Sequence, residues 1–231
     1  MSLSAIFKGW IGESLSAFSL WLFLDADTYI QINNATIPTQ NGTTQIDHII
    51  VSKYGIFVVE TKNMAGWIFG KENAPTWTQS LYGKKYKFQN PLRQNYKHTK
   101  SLSDFLGIEH EKFFSIVDFT GDCEFKTPMP TNVINHGLIP YIKDRQDILF
   151  SDDDTKEIAN AIKDGKLPRT WTTRRNHVES LEQRFNNRET CPKCGRKLTL
   201  RTAKSGNHQG SKFYGCTNFP NCRYTRQSEP A

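Results

Sequence analysis

Four of the five cysteines fall within one 32-residue stretch: Cys191-Pro-Lys-Cys194 and, after 21 further residues, Cys216-Thr-Asn-Phe-Pro-Asn-Cys222. Two such close pairs cannot staple a chain of 231 residues, so a disulfide scaffold is excluded. Zn²⁺ takes four thiolates in a tetrahedron. A Cys-x2-Cys turn supplies two of them at once, and Gly195 after it tolerates unusual backbone angles. A closed four-thiolate site has no open position, so the expected zinc at Cys191, Cys194, Cys216 and Cys222 is structural. His208 between the pairs reads as a loop histidine, and Cys123 as a small buried or half-buried thiol.

The charge sits with the zinc module. Residues 188–231 hold nine Lys/Arg against two Asp/Glu, whereas residues 1–187 hold 21 of each sign. The whole net charge of +7 therefore lies on the last fifth, which points to a polyanion partner. Its basic residues alternate with Phe213, Tyr214, Phe219 and Tyr224; cations neutralise phosphates and aromatic faces stack on exposed bases. The contacts expected are Arg196, Lys197, Lys212, Phe213, Tyr214 and Arg223, with one or two of the four aromatics filling the module's own small core. From Thr190 to about Arg226 the segment resembles the DNA-binding zinc ribbon at the C-terminus of type I DNA topoisomerases, extending to Gly215 before the third cysteine and Pro220 two residues before the fourth. That resemblance implies binding to DNA, single-stranded DNA above all. No topoisomerase catalytic domain fits in the remaining residues.

The first 187 residues carry their own core, for 37% of the chain is apolar and 12% aromatic. Ile11, Leu15, Phe18 and Leu22 form the stripe of a packed helix over about Trp10–Leu24, whose apolar run is about half the ~20 residues a membrane span needs. The expectation is a soluble, cytoplasmic protein with no membrane partner. Strands are predicted over Gln45–Ser52 and Ile56–Lys62, with Thr36–Pro38 extended before them. A second hairpin is predicted within residues 64–88, and further strands at Phe113–Phe119 and Gly137–Ile142. Asn90-Pro91 opens a helix that Gly107 stops; Asp152–Lys163 and Arg174–Asn187 are also helical. The expected division is a domain over residues 8–145, a helical extension and connector over 146–187, and the ribbon over 188–228.

Ile56-Phe57-Val58-Val59 is apolar on both faces, the mark of a covered central strand, and it runs into Glu60-Thr61-Lys62. Residues two apart on a strand share a face, so Glu60 and Lys62 are neighbours. In a hairpin Asp47 joins them when paired positions sum to 107 or 109, and His48 then points away. Acids and a lysine at the end of a two-sided apolar strand are costly unless something satisfies them, and a hard divalent cation does so. Asp47 and Glu60 are thus candidate ligands for Mg²⁺ or Mn²⁺, with Lys62 positioning water or offsetting charge. Trp67 and Trp77 read as core or hairpin clamps, and Lys84, Lys85 and Lys87 as either a phosphate-binding row or a solvated face.

Gly12-Glu13, the run Gln45–Ser52, Tyr54–Asn63, Gly66-Trp67 and Asn90-Pro91-Leu92-Arg93-Gln94-Asn95, in that order, resemble the nuclease-related domain, NERD. The resemblance covers roughly Lys8 to Leu106. That family belongs with the PD-(D/E)xK, restriction-endonuclease-like nucleases, which implies an α/β fold with a mixed central sheet flanked by helices. It implies Asp47 and Glu60 as metal carboxylates, Lys62 as the catalytic lysine, Glu13 as a further acidic site residue and Gln94 as a polar supporter. The function implied is metal-dependent hydrolysis of DNA, with RNA as a second substrate class to separate by test. A non-catalytic DNA-binding adaptor on the same fold is the rival. The residues carry no signal of oligomeric state.

Overall fold

The computed structural model describes residues 22–39, 42–186, 191, 196–203, 209–220 and 222–227. Glu13, Cys194, Gly195, His208 and most of the expected N-terminal helix lie outside these residues. The chain divides into two compact units, Met1–Pro38 with Thr44–Pro168, and Thr39–Thr43 with Arg169–Ala231. Among the described residues no helix is long and apolar enough to cross a membrane.

The first unit is built on a five-stranded sheet of order β1-β2-β3-β7-β9. These strands are β1 (Tyr29–Thr39), β2 (Gly42–Ser52), β3 (Gly55–Lys62), β7 (Phe113–Phe119) and β9 (Val133–Ile134). β2 and β3 pair antiparallel, while β3–β7 and β7–β9 are parallel, so the sheet is mixed. β3 is buried along its length except at Lys62, as its two-sided apolar run requires. On one face Ile49, Val51, Ile56 and Val58 pack with Leu102 of helix α1 (Pro91–Leu106) and with Ala159 and Ile162 of α3 (Asp152–Gly165). On the other, Ile50, Phe57, Val59 and Ile116 pack with Leu138 and Ile142 of α2 (Leu138–Lys143). The expected α/β class, a mixed central sheet flanked by helices, is what the chain adopts.

Helix α1 begins and ends where its sequence directs. The Asn90 side chain accepts from Leu92 N–H at 2.9 Å, Pro91 takes the first turn, and Gly107 closes the helix at φ 67° with its N–H on the Ser103 carbonyl. The Asn90 amide also donates to the carbonyls of Glu72 and Ala74, at 2.8 and 2.7 Å, tying the preceding loop to the helix start. α3 opens on a reciprocal capping box between Ser151 and Asp154.

Residues 66–89 and 123–125 form a second sheet of order β6-β5-β4-β8, from β4 (Gly66–Phe69), β5 (Thr76–Leu81), β6 (Lys84–Gln89) and β8 (Cys123–Phe125). Trp77, 1% exposed, is its anchor: the indole stacks on Phe119 of the main sheet with ring planes 6° apart. Gly70 lies against that indole so closely that a Cβ would stand 2.4 Å from the ring. Trp77 is core, as expected. Trp67 is not: it is 52% exposed, because its strand turns Ile68 inward instead.

Two further expectations change. Gly137–Ile142 is helical, with Gly137 at φ 80° as its cap and Pro140 in the first turn, where a missing N–H costs nothing. Leu138 and Ile142, four apart, then bury one face together, a spacing that short apolar runs leave open to either reading. Thr36–Pro38 belongs to an eleven-residue strand whose polar residues hide its length. The last helix, α4 (Trp171–Asn186), lies close to its expected span.

In the second unit β10 (Leu198–Thr202), β11 (Lys212–Cys216) and β12 (Thr225–Gln227) form an antiparallel sheet. Cys191, Leu198, Cys216 and Cys222 are its buried cluster, with Tyr214 and Tyr224 packed against them.

Candidate functional site

The C-terminal end of β3 brings four groups together. Lys62 Nζ stands 2.5 Å from Glu60 Oε1 and donates to Gln94 Oε1 at 3.1 Å. The alternation of the strand sets the first contact; the first turn of α1, crossing above, sets the second. Glu60 is 3% exposed. Burial pushes its carboxyl upward, but the Lys62 ammonium and the neighbouring His98 outweigh that and hold it below the usual carboxylate range.

His98 is a site residue that the sequence reading misses. Its Nε2 lies 3.3 Å from Glu60 Oε2 without a well-aligned hydrogen bond, and its Nδ1 lies 2.7 Å from Thr44 Oγ1 of β2. The signal was available: His98 is four residues beyond Gln94, hence on the same helix face.

Asp47 enters in an unforeseen way. The β2–β3 register runs from Ser52↔Gly55 to His48↔Val59, a sum of 107 and one of the two sums the sequence reading requires. There the backbone ladder ends. Ile46, Ile49 and Val51 all belong to the core layer shared with α1, so alternation shifts by one residue at Asp47-His48. Instead of a ladder carbonyl, Asp47 Oδ2 accepts the Thr61 N–H at 2.8 Å. Thr61 lies between Glu60 and Lys62, so this bond fixes the Asp47 carboxylate against the backbone that carries both.

His48 Nδ1 meets Asn33 Oδ1 of β1 at 2.8 Å. Burial lowers its pKa to about 4, so the ring is neutral. Asn95, beside Gln94, sends its amide to the Val58 and Ile116 carbonyls at 2.8 and 2.9 Å, fixing α1 to β3 and β7. Glu13 lies outside the described residues. Cys123 is half-buried, and burial pushes its thiol up to about 11, which leaves it protonated.

In the second unit the sulfurs of Cys191, Cys216 and Cys222 all lie within 4.8 Å of one another. Cys191 Sγ and Cys222 Sγ are 3.8 Å apart. Zn–S bonds of ~2.3 Å in a tetrahedron give an edge of about 3.8 Å, so the donor set fits zinc, with Cys194 outside the described residues. This is the one such cluster of three or more ligating side chains among the described residues. Arg196, Lys197, Lys212 and Arg223 are exposed. Phe213 pairs with Arg201, and Tyr214, one residue on, faces the cysteines from the other side of the sheet. The two aromatics expected to contact bases therefore lie on opposite faces, while Tyr214 and Tyr224 supply the module's core.

Comparison with known proteins agrees with this division. Residues 8–120 match the nuclease-related domain, and residues 188–231 match the topoisomerase DNA-binding C4 zinc finger. An uncharacterised protein of Bacillus anthracis is 36% identical over 186 residues, spanning 77% of this chain and 85% of its own. DNA topoisomerase 1 of Mycoplasma genitalium is 33% identical over 72 residues, and that of Methanocaldococcus jannaschii 51% over 35. Those two matches cover 10% and 4% of the topoisomerases. No solved structure matches the chain. With a mixed sheet carrying the Glu60–Lys62 pair and, later in the sequence, a ribbon with clustered cysteines, the chain belongs to the nuclease-related domain family and bears a topoisomerase-type C4 zinc finger.

Proposed function

We propose that the protein is a divalent-metal-dependent nuclease that hydrolyses DNA phosphodiester bonds, its ribbon holding the DNA. The observation that carries this is the grouping at the end of β3: Lys62 bonded to both Glu60 and Gln94, with the Asp47 carboxylate fixed on the intervening Thr61 N–H. A buried carboxylate kept ionised and a second one held beside it are donors suited to a hard cation. Asp47 and Glu60 would hold Mg²⁺ or Mn²⁺, which polarises a phosphoryl oxygen and acidifies water. Lys62, bonded to Glu60, offsets charge that develops on the phosphoryl group, and Gln94 orients the ammonium. His98 keeps the second Glu60 oxygen in place. Glu13 is assigned as a further acidic residue of the site on the family resemblance.

The ribbon contributes through exposed Arg196, Lys197, Lys212 and Arg223 with Phe213, and with Tyr214 in a more structural place. Joined to the catalytic portion, it raises the local concentration of substrate, an effect that falls steeply with salt. The domain limits that suit this division are 8–145, 146–187 and 188–228.

The decisive experiment incubates the full chain with circular and linear DNA, with and without Mg²⁺ or Mn²⁺, beside a Lys62→Ala variant. Cleavage is expected only with the ion and only with Lys62 present; opening of the circle would mark an endonuclease. Binding without cleavage under all conditions would favour the adaptor reading, and matched RNA cut faster than DNA would move the substrate class.

A further inference from the structure

Between Lys62 and Gln94 the chain makes one excursion. It forms β4, β5 and β6 and returns through Asn90, so the excursion starts and ends beside two residues that touch each other. Register fixes which of its side chains share the outer face. Trp67 pairs with Ser80 and Ser80 with Lys85; Phe69 pairs with Thr78 and Thr78 with Lys87. The alternate residues Ile68 and Trp77 are buried, so this set faces outward. Lys85 and Lys87 are exposed, and the Lys126 ammonium stands 4.8 Å from the centroid of the Trp67 ring while paired to Glu124.

The hairpin tip carries a second oddity. Tyr82 and Gly83 form the two-residue turn between Leu81 and Lys84, with φ of 49° and 75°. The first position of such a turn is the usual place of Asn, Asp or Gly, and a bulky residue there is strained. Tyr82 makes up none of that cost by packing, for it is 94% exposed.

We infer that this outer face, with the Tyr82 tip, is a docking surface for single-stranded nucleic acid approaching the Glu60–Lys62 site. It deepens the nuclease reading and rests on it for its purpose, though not for its test. Lysines two apart on one strand offer phosphates a row about 7 Å in repeat. Two strand spacings away, about 10 Å, Trp67 offers an aromatic face to bases. A duplex keeps its bases stacked and gives Trp67 nothing to receive, so the pairing of cations with exposed aromatics selects the single strand. Lysines on an edge strand such as β6 also deter pairing with another chain, but that role leaves the salt dependence of nucleic-acid binding untouched.

The test uses the full chain without added divalent ion and a fluorescein-labelled oligothymidylate, read by anisotropy over a salt series. Lys85→Thr with Lys87→Thr, which preserves strand propensity on an exposed edge, is expected to lower the salt slope by about 1.4. Trp67→Ala is expected to weaken binding about tenfold with the slope unchanged. Photocrosslinks should map to residues 65–89 as well as to the ribbon. Wild-type slope and affinity in both variants, crosslinks confined to 188–231, or equal competition by a duplex of the same length would each overturn the surface. The same slopes measured in Lys62→Ala protein keep the two readings apart. A changed slope where the wild-type chain cuts no DNA even with Mg²⁺ or Mn²⁺ would sink the nuclease and keep the surface, and cleavage by the wild-type chain with an unchanged slope would do the reverse.

Discussion

Each carboxylate oxygen of Glu60 has its own nitrogen neighbour: Lys62 Nζ at 2.5 Å from Oε1, and His98 Nε2 at 3.3 Å from Oε2. The carboxylate is therefore flanked from two elements, β3 and α1. Removing either neighbour leaves a buried charge short of a partner.

His98→Ala should destabilise the protein by about 1–3 kcal/mol, the range for a buried polar group losing its partner. His98→Gln should recover part of it by offering an amide to the same oxygen. Urea unfolding of the two variants checks this, and equal stability of both with wild type would remove His98 from the site.

Lys62→Met alone should cost about 2–3 kcal/mol, somewhat below the loss expected when a fully buried pair is broken, since Lys62 keeps one-fifth of its side chain in solvent. Adding Glu60→Gln should restore most of that, because the stranded charge goes with it. A double-mutant cycle in denaturant gives the coupling; additive losses would mean that the pair contributes nothing to the fold.

His48 gives a pH dependence with a definite sign. Its folded pKa of about 4 lies below the ordinary 6.5, so protons bind the unfolded chain more readily. Its contribution is intact above pH 6.5 and is lost as pH falls toward 4, on the order of 2 kcal/mol at pH 4.5. Glu60, whose pKa is lowered, also loses its contribution on acidification, at a lower pH. The wild-type loss between pH 7 and 4.5, less the loss in His48→Gln, isolates the histidine. A difference near zero would mean that the ring is not buried neutral.

The ribbon should carry one zinc per chain by metal analysis. Cys222→Ser should lower that content, and with it protease resistance in residues 191–227 and binding to oligothymidylate, while the Trp77 environment in the first unit keeps its fluorescence. Zinc content unchanged in Cys222→Ser would contradict the assignment of Cys222 as a ligand.

Much of this was legible in the sequence because local chemistry determined it. Asn90-Pro91 and Gly107 delimit α1 through a cap, a ring and a left-handed turn, none of which needs tertiary context. The two-sided apolar run of β3 announced a central strand. What stayed hidden depended on neighbours. The one-residue shift at Asp47 emerges only when β2 packs against both β3 and α1, and periodicity alone assumes it away. The helix at Leu138 hung on a six-residue apolar run that either period explains. Whether Trp67 or Trp77 entered the core was settled by which of them met Phe119.

The Asn95 amide spans the carbonyls of two adjoining strands, and Asn90 clasps the loop just ahead of it. Helix α1 is thus moored twice, to the central sheet through Asn95 and to the base of the excursion between Met64 and Gln89 through Asn90. Because Asn95 carries the tie to the sheet, the exposed outer face of that excursion can be recoloured by substitution while α1 keeps its place over β3.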